Sequence, residues 1–291
     1  MPKLNYHHLY YFWQVACTGN LTQAAADLHT SQSALSAQIR QLEHNMDVQL
    51  FHRQGRKLVL TEVGQQTLLM ANDIFAKGEE LEAMLKGSSP AATPLRIGAI
   101  ANMSRNFIEA FVSPLLHDPS ASFTLTSKGI TELLQELANH QLDVVLSNIN
   151  VAPDSQQLWQ VQMLARQPLS IVGPVSKAPQ SSFPEGYENM RWVLPGKRTE
   201  MRAAFDAFCS RWQFEPNVQA EADDMAMLRL LARDTGALAV LPKVVVKDEI
   251  STKQLMEYMV LPKAFEHFYA ITIKRTFVSD RLQALLHQSI L

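Results

Sequence analysis

The sequence is short of nearly everything that would announce a chemistry. Two cysteines, Cys17 and Cys209, stand far apart in 291 residues. That rules out a disulfide framework and fits a reducing compartment. The formal net charge is −2, so no global basicity points to nucleic acid. No run of about 18 apolar residues occurs, so no membrane contact is expected. The stretch MPKLNYHHLYYFWQ lacks a charged start followed by an apolar signal core, and the expected location is the cytoplasm. No Gly-x-Ser-x-Gly, phosphate-loop or zinc-protease motif is present. No catalytic residue and no cofactor is therefore expected. Nine histidines occur, but none has zinc-type spacing with a cysteine, so no metal site is expected.

What is present is organisation. At roughly 100–200 residues per domain, this length suggests two or three domains. From Tyr6 to Cys17 apolar residues recur at helical spacing: Leu9, Phe12, Trp13, Ala16, Cys17. Gly19-Asn20 ends that helix, and Asn20 with Gln23 has the form of an N-cap and capping box. A second helix runs to about Leu28, and a third from about Ser31 to Glu43. Two apolar runs flanking Gln54-Gly55-Arg56 predict a hairpin. Residues 62–86 lack proline, and the steps Val63, Thr67, Met70, Ile74, Lys77, Leu81, Met84 suit a helix packed on another helix. Gly87 to Pro94 has linker composition. Strand patterns then follow at 95–100, 123–127, 143–147, 169–173, 191–194, 218–221, 237–241 and 268–273. Helical segments separate most of them, at 104–116, 130–141, 199–212, 224–234 and 279–289. Such alternation predicts a mostly parallel sheet with helices on both faces, in two small α/β subdomains.

The third helix carries the functional question. Leu35, Ile39 and Leu42 form its apolar stripe. Gln32, Ser33, Ser36 and Arg40 face outward, small and polar, with almost no acid. A helix laid in the DNA major groove has this composition. Glutamine can bond adenine twice and arginine can reach guanine or phosphate. Residues 1–61 hold Lys3, Arg40, Arg53, Arg56 and Lys57 against Asp27, Glu43 and Asp47, a local basic excess. On periodicity alone an ordinary α-helical hairpin accounts for the pattern equally well.

The residues Thr22, Ala24-Ala25, Leu28, Ser31-Gln32-Ser33-Ala34, Ser36, Ile39, Leu42-Glu43, Leu50-Phe51, Arg53, Arg56, Leu60-Thr61 and Gly64 resemble the LysR-type transcriptional regulators. Gln141–Val145 and Gly236–Pro242 sit where that family has similar segments. The stretches NYHHLYYFWQVA and EADDMAMLRLLARDTG look similar to the subgroup that regulates sodium/proton antiporter genes. The resemblance implies an α/β fold overall. An all-α-rich winged helix-turn-helix would occupy residues 1–61 and a linker or dimerisation helix 62–86. A hinge would follow at 87–94. An effector domain resembling periplasmic binding proteins would span 95–291, with subdomain I about 95–165 and 268–291 and subdomain II about 166–267. The implied partners are a double-stranded DNA operator, a second copy in a homodimer or homotetramer, and RNA polymerase. Gln32, Ser33, Ser36 and Arg40 are the expected base-edge contacts, and Thr22, Ser31, Arg53, Arg56 and Lys57 the phosphate contacts. Two departures stand out: Asp47 where the family usually has glycine, and Lys128-Gly129 where it often has Glu-Gly.

The resemblance also places an effector cleft between the subdomains, beyond the carboxyl ends of strands. Its candidate lining is Ile100, Asn102, Met103 and Ser104, then Ser127, Lys128 and Gly129, then Ser147 and Asn148, then Pro195 and Thr199. Helix N-termini there would suit an anion. A sodium effector would need oxygens such as those of Asn102, Ser127 or Asn148. Alternatives remain open: regulation of a metabolic gene by an organic effector, or a solute-binding protein whose working part is the C-terminal region. Cys17 and Cys209 read as core residues and Asp223-Asp224 as a helix cap.

Overall fold

The computed structural model describes residues 4–54, 57–85, 94–152, 159–273 and 279–288. The chain divides into two compact units, Met1–Thr93 and Pro94–Leu291.

In the first unit each helix start is set by a small polar side chain. Asn5 accepts from the amides of His7 and His8 and opens α1, Tyr6–Thr18. Gly19 closes it in the left-handed conformation, at φ 65°. Asn20 then caps α2, Leu21–Asp27, accepting from Thr22 and Gln23. The capping box is only half made: the Gln23 amide reaches forward to Asp27 at 2.9 Å, an i,i+4 partner on its own helix. Ser31 Oγ accepts from Ala34 and starts α3, Gln32–Met46. Asp47 ends it at φ 52°, so the aspartate takes the left-handed turn that glycine would adopt at no cost.

The core of this unit joins Leu9, Phe12, Val15, Ala24, Ala25, Leu35, Ile39, Leu42, Leu50, Leu68 and Ala71. Trp13, Ala16 and Cys17, expected on the buried face of the first helix, are only half-buried. The face turns toward Val15 instead, which is 1% exposed. Strands β1, Phe51–Gln54, and β2, Lys57–Leu60, form the hairpin, pairing Phe51 with Leu60 and Gln54 with Lys57. The Glu43 carboxylate accepts from the amides of Leu50 and Phe51 at 2.8 and 3.1 Å, so α3 fixes the hairpin's entry. Helix α4, Glu62–Leu85, follows. Thr61 Oγ1 accepts from the Gly64 amide at its start. Gly64 touches the hairpin so closely that a Cβ would lie 2.1 Å from the Leu50 carbonyl oxygen. Farther along, Trp13 Nε1 donates to Asn72 Oδ1, and Phe75 packs on the rings of Tyr10 and Trp13.

The second unit is one eight-stranded sheet flanked by helices. In chain order it contains β3 Leu95–Ile100, α5 Arg105–Leu116, β4 Phe123–Lys128, α6 Ile130–Ala138, β5 Val144–Ser147 and β6 Trp159–Pro174. Then come β7 Arg191–Pro195, α7 Glu200–Arg211, β8 Asn217–Ala222, α8 Met225–Thr235 and β9 Leu238–Pro242. Last are α9 Lys247–Ser251, β10 Leu255–Ile273 and α10 Asp280–His287. The strand order is β4-β3-β5-β10-β6-β9-β7-β8.

The expectation of a mostly parallel sheet needs correcting. Strands β4, β3 and β5 are mutually parallel, as are β8, β7 and β9. Between these halves run β6 and β10, antiparallel to each other and to their outer neighbours. Both are much longer than the apolar runs 169–173 and 268–273. Each crosses from one half to the other: β10 pairs with β5 through Tyr269–Ile271, and β6 with β9 through Leu169–Val172. The remaining residues, among them Gln160, Gln162, Arg166 and Gln167, are held by pairing between the two long strands. Their side chains give no alternating apolar signal. One apolar core runs through both halves, with Phe107 stacked on Phe268 at 4.0 Å. The halves are also tied by polar contacts. Asn106 Nδ2 donates to the carbonyls of Val244 and Val245 and its Oδ1 accepts from Arg229. Among the described residues no helix is long and apolar enough to cross a membrane.

Candidate nucleic-acid interface and effector cleft

On α3 the apolar stripe is fully used: Leu35, Ile39 and Leu42 are buried. That fixes the rotation of the helix and turns Gln32, Ser33 and Arg40 outward, exposed, with Ser36 half-buried between them. The hydroxyl oxygens of Ser31 and Ser33 lie 3.1 Å apart at the first turn. Thr22, in the first turn of α2, is exposed too. One side chain escaped the sequence reading. Ala37 is also exposed, four residues from Ser33 on the same face, and that spacing was the available signal. Its methyl leaves that face small and uncharged. The Glu43 carboxylate is turned to the hairpin amides and away from the Gln/Ser/Arg face. Arg53 and Lys57 lie on the hairpin strands; their side chains, and all of Arg56, fall outside the described residues.

The cleft candidates divide by role. Met103 and Ile100 are core residues, 0% and 3% exposed. Ser104 caps α5, accepting from Phe107, and Thr199 caps α7, accepting from Arg202. Gly129 occupies the cap position of α6. Ser147 closes a tight turn, its Oγ bonded to both the amide and the carbonyl of Ile149. Pro195 is buried and its carbonyl accepts from Arg202. Lys128 is held by Glu132 and Glu136 at 2.6 and 2.7 Å, and these hydrogen bonds raise its ammonium pKa. Ser127 is exposed and accepts from Arg105 at 3.5 Å; Asn102 is half-buried. Asn148 is different: it reaches a residue absent from the sequence reading, donating to Glu266 Oε1 at 2.7 Å. Glu266 lies on β10 and is 6% exposed. Burial first, and then repulsion from Glu200, push its carboxyl up to about 7 against the pull of Asn148. A single glutamate in a long strand carries no motif that would have found it.

The cysteines and Asp224 behave as packing and capping groups. Burial pushes the thiols of Cys17 and Cys209 up to about 11 and about 12, the opposite of what a reactive thiolate needs. Asp224 caps α8 by accepting from Ala226.

Comparison with known proteins agrees with both units. Residues 6–65 match the bacterial regulatory helix-turn-helix protein model of the lysR family. Residues 88–289 match the LysR substrate binding domain. The transcriptional activator protein NhaR of Escherichia coli is 23% identical over 98% of this chain and 95% of its own. Full-length OxyR from Pseudomonas aeruginosa superposes with a TM-score of 0.64 at 19% identity, over 99% of this chain and 95% of that one. DarR of Vibrio fischeri, solved in complex with DNA, gives 0.51 at 17% identity over 97% of each chain. The two family models together leave few residues unmatched, and the chain belongs to the LysR family of DNA-binding transcriptional regulators, with a helix-turn-helix and a substrate-binding domain.

Proposed function

We propose that α3 reads base edges in the major groove through Gln32, Ser33, Ser36 and Arg40, while Thr22, Ser31, Arg53, Arg56 and Lys57 hold phosphates. The exposed Gln/Ser/Arg face, free of acids and rigidly backed by Leu35, Ile39 and Leu42, is the observation that carries this reading. Two copies joined along α4 would present two such helices to an operator of two-fold symmetry, with half-sites about 34 Å apart. Bound in this way, the protein would act on RNA polymerase as an activator. Residues 94–291 would sense a small effector between the two halves of the sheet. A sodium ion controlling a sodium/proton antiporter gene is the reading we favour. It is supported by the resemblance at the N-terminus and around α8, and by similarity to an activator along nearly the whole chain.

The test is a gel shift with the chain's own upstream DNA, then a reporter under sodium and under equal potassium. Binding to upstream DNA over random duplex, with transcription rising in sodium alone, supports both parts. Binding without a sodium response leaves the DNA reading standing and removes the sodium one. No preference for upstream DNA removes both.

A further inference from the structure

Three charged side chains are buried among the described residues of this unit: Arg202, Glu249 and Glu266. Arg202 is paired with Asp206 and Glu221, and Glu249 with Arg229. Glu266 has no such partner among the described residues. Its hydrogen bond comes from the neutral Asn148 amide, and the charge acting on it there is another carboxylate, Glu200. A buried carboxylate without a cation is costly, so it either takes up a proton or meets a counter-charge from outside.

The surroundings favour a positive guest. Asn148 follows β5 in one half of the sheet, Glu200 opens α7 in the other, and Glu266 lies on the strand that crosses between them. Asn148 Oδ1 is buried and receives no hydrogen bond, so an oxygen acceptor stands idle beside the carboxylate. Among the described residues no cation is among the groups acting on Glu266, and Arg166, paired on β6 with the adjacent His267, lies 3.5 Å over the Phe265 ring. The other groups around Glu266 are Gln167, opposite it on β6, and Tyr269 on its own strand, which also feels both glutamates. The positive end of α7 is already met by the Thr199 cap and by Glu200 in its first turn.

We propose that the cleft between the two halves binds a ligand bearing a single positive charge, an alkali ion or a protonated amine, with Glu266 as its counter-charge, Asn148 Oδ1 as a further oxygen acceptor and Glu200 adding negative charge at longer range. This rests on the reading of residues 94–291 as an effector domain and names the residues that hold the charge of what it senses, whether the sodium favoured above or another singly charged cation. A carboxylate effector is repelled by the same arrangement. Proton and cation compete for Glu266, so acid weakens binding.

The test is calorimetric titration of the full chain at constant ionic strength, set with tetraethylammonium chloride. The probes are sodium, potassium, methylammonium and, as an anionic counterpart, benzoate. At pH 8.5 we expect saturable binding of a cationic probe, at least tenfold weaker at pH 6, lost in Glu266→Gln and weakened severalfold in the solvent-facing Glu200→Gln. Sodium or potassium against methylammonium tells an inorganic ion from an amine. The idea is overturned if no cationic probe saturates, if Glu266→Gln binds as tightly as the parent, or if benzoate alone binds. Should Glu266→Gln fail to fold, Glu200→Gln and the pH dependence decide. Wild-type binding to upstream DNA, measured on the same samples, keeps failure of the cation site separate from failure of the regulator reading.

Discussion

Gln32 and Arg56 make different demands of a duplex. A glutamine on a base edge is worth about 1–3 kcal/mol of discrimination per good bidentate contact. Gln32→Ala should therefore lose preference for the operator while keeping most of its affinity for random DNA. An arginine on phosphate contributes without regard to sequence. Arg56→Ala should weaken both alike and reduce the salt slope by about one. Anisotropy titrations across a salt series separate the two, and equal losses in both variants would show the roles to be misassigned. Gly64 sets a stability test. Its missing Cβ is the space occupied by the Leu50 carbonyl. Overpacking typically costs about 1–3 kcal/mol and more against backbone, so Gly64→Ala should lower the urea midpoint sharply. At this scale the sequence was informative wherever a residue type has one local job. Asn20 and Asp224 cap helices as their positions suggest. It was silent on Glu266, whose neighbours are Asn148, 118 residues before it, and Glu200 on a separate helix. Such meetings are made by the fold.

Among the elements, α4 leaves an apolar row uncovered within its own unit. Val63, Met70, Ile74 and Leu81 are 44, 70, 37 and 51% exposed, while Leu68, Ala71 and Phe75 pack toward α1. The row follows the four-three steps of a helix that meets a second helix. Met70→Glu should shift sedimentation toward the monomer. It should also cost operator affinity far more than random-DNA affinity, because two linked half-sites bind with avidity. A dimer untouched by this change would place the contact elsewhere. Helices were legible because their period is written in the side chains. The sheet was legible in its parallel parts, where short apolar runs such as Val144–Ser147 are buried throughout. Of β6 and β10 the sequence showed only the apolar ends, 169–173 and 268–273. Their exposed polar stretches are held by backbone pairing to one another, and neither sequence alone records that partner.

For the whole molecule, the buried glutamate sets a pH dependence of unusual sign. Its pKa rises from 4.5 to about 7 on folding. Between those values the folded chain holds a proton that the unfolded chain releases, so stability falls as pH climbs through that window. At about 1.4 kcal/mol per unit, the loss is roughly 3 kcal/mol or somewhat more by pH 8. Glu266→Gln should be the more stable form at pH 8 and show a flatter profile in urea titrations without small cations. A parent whose stability does not decline from pH 5 to 8 would mean that the carboxyl is not held as the geometry implies. The central claim concerns the other unit, that α3 lies in the major groove with its polar side against the bases. Methylation protection of guanine N7, which faces that groove, tests it most directly. On the chain's own upstream DNA we expect two protected clusters, a helical turn or a multiple of it apart, both lost when Gln32 and Arg40 are replaced by alanine. A folded dimer that protects no guanine, or the same guanines after those replacements, would contradict the account.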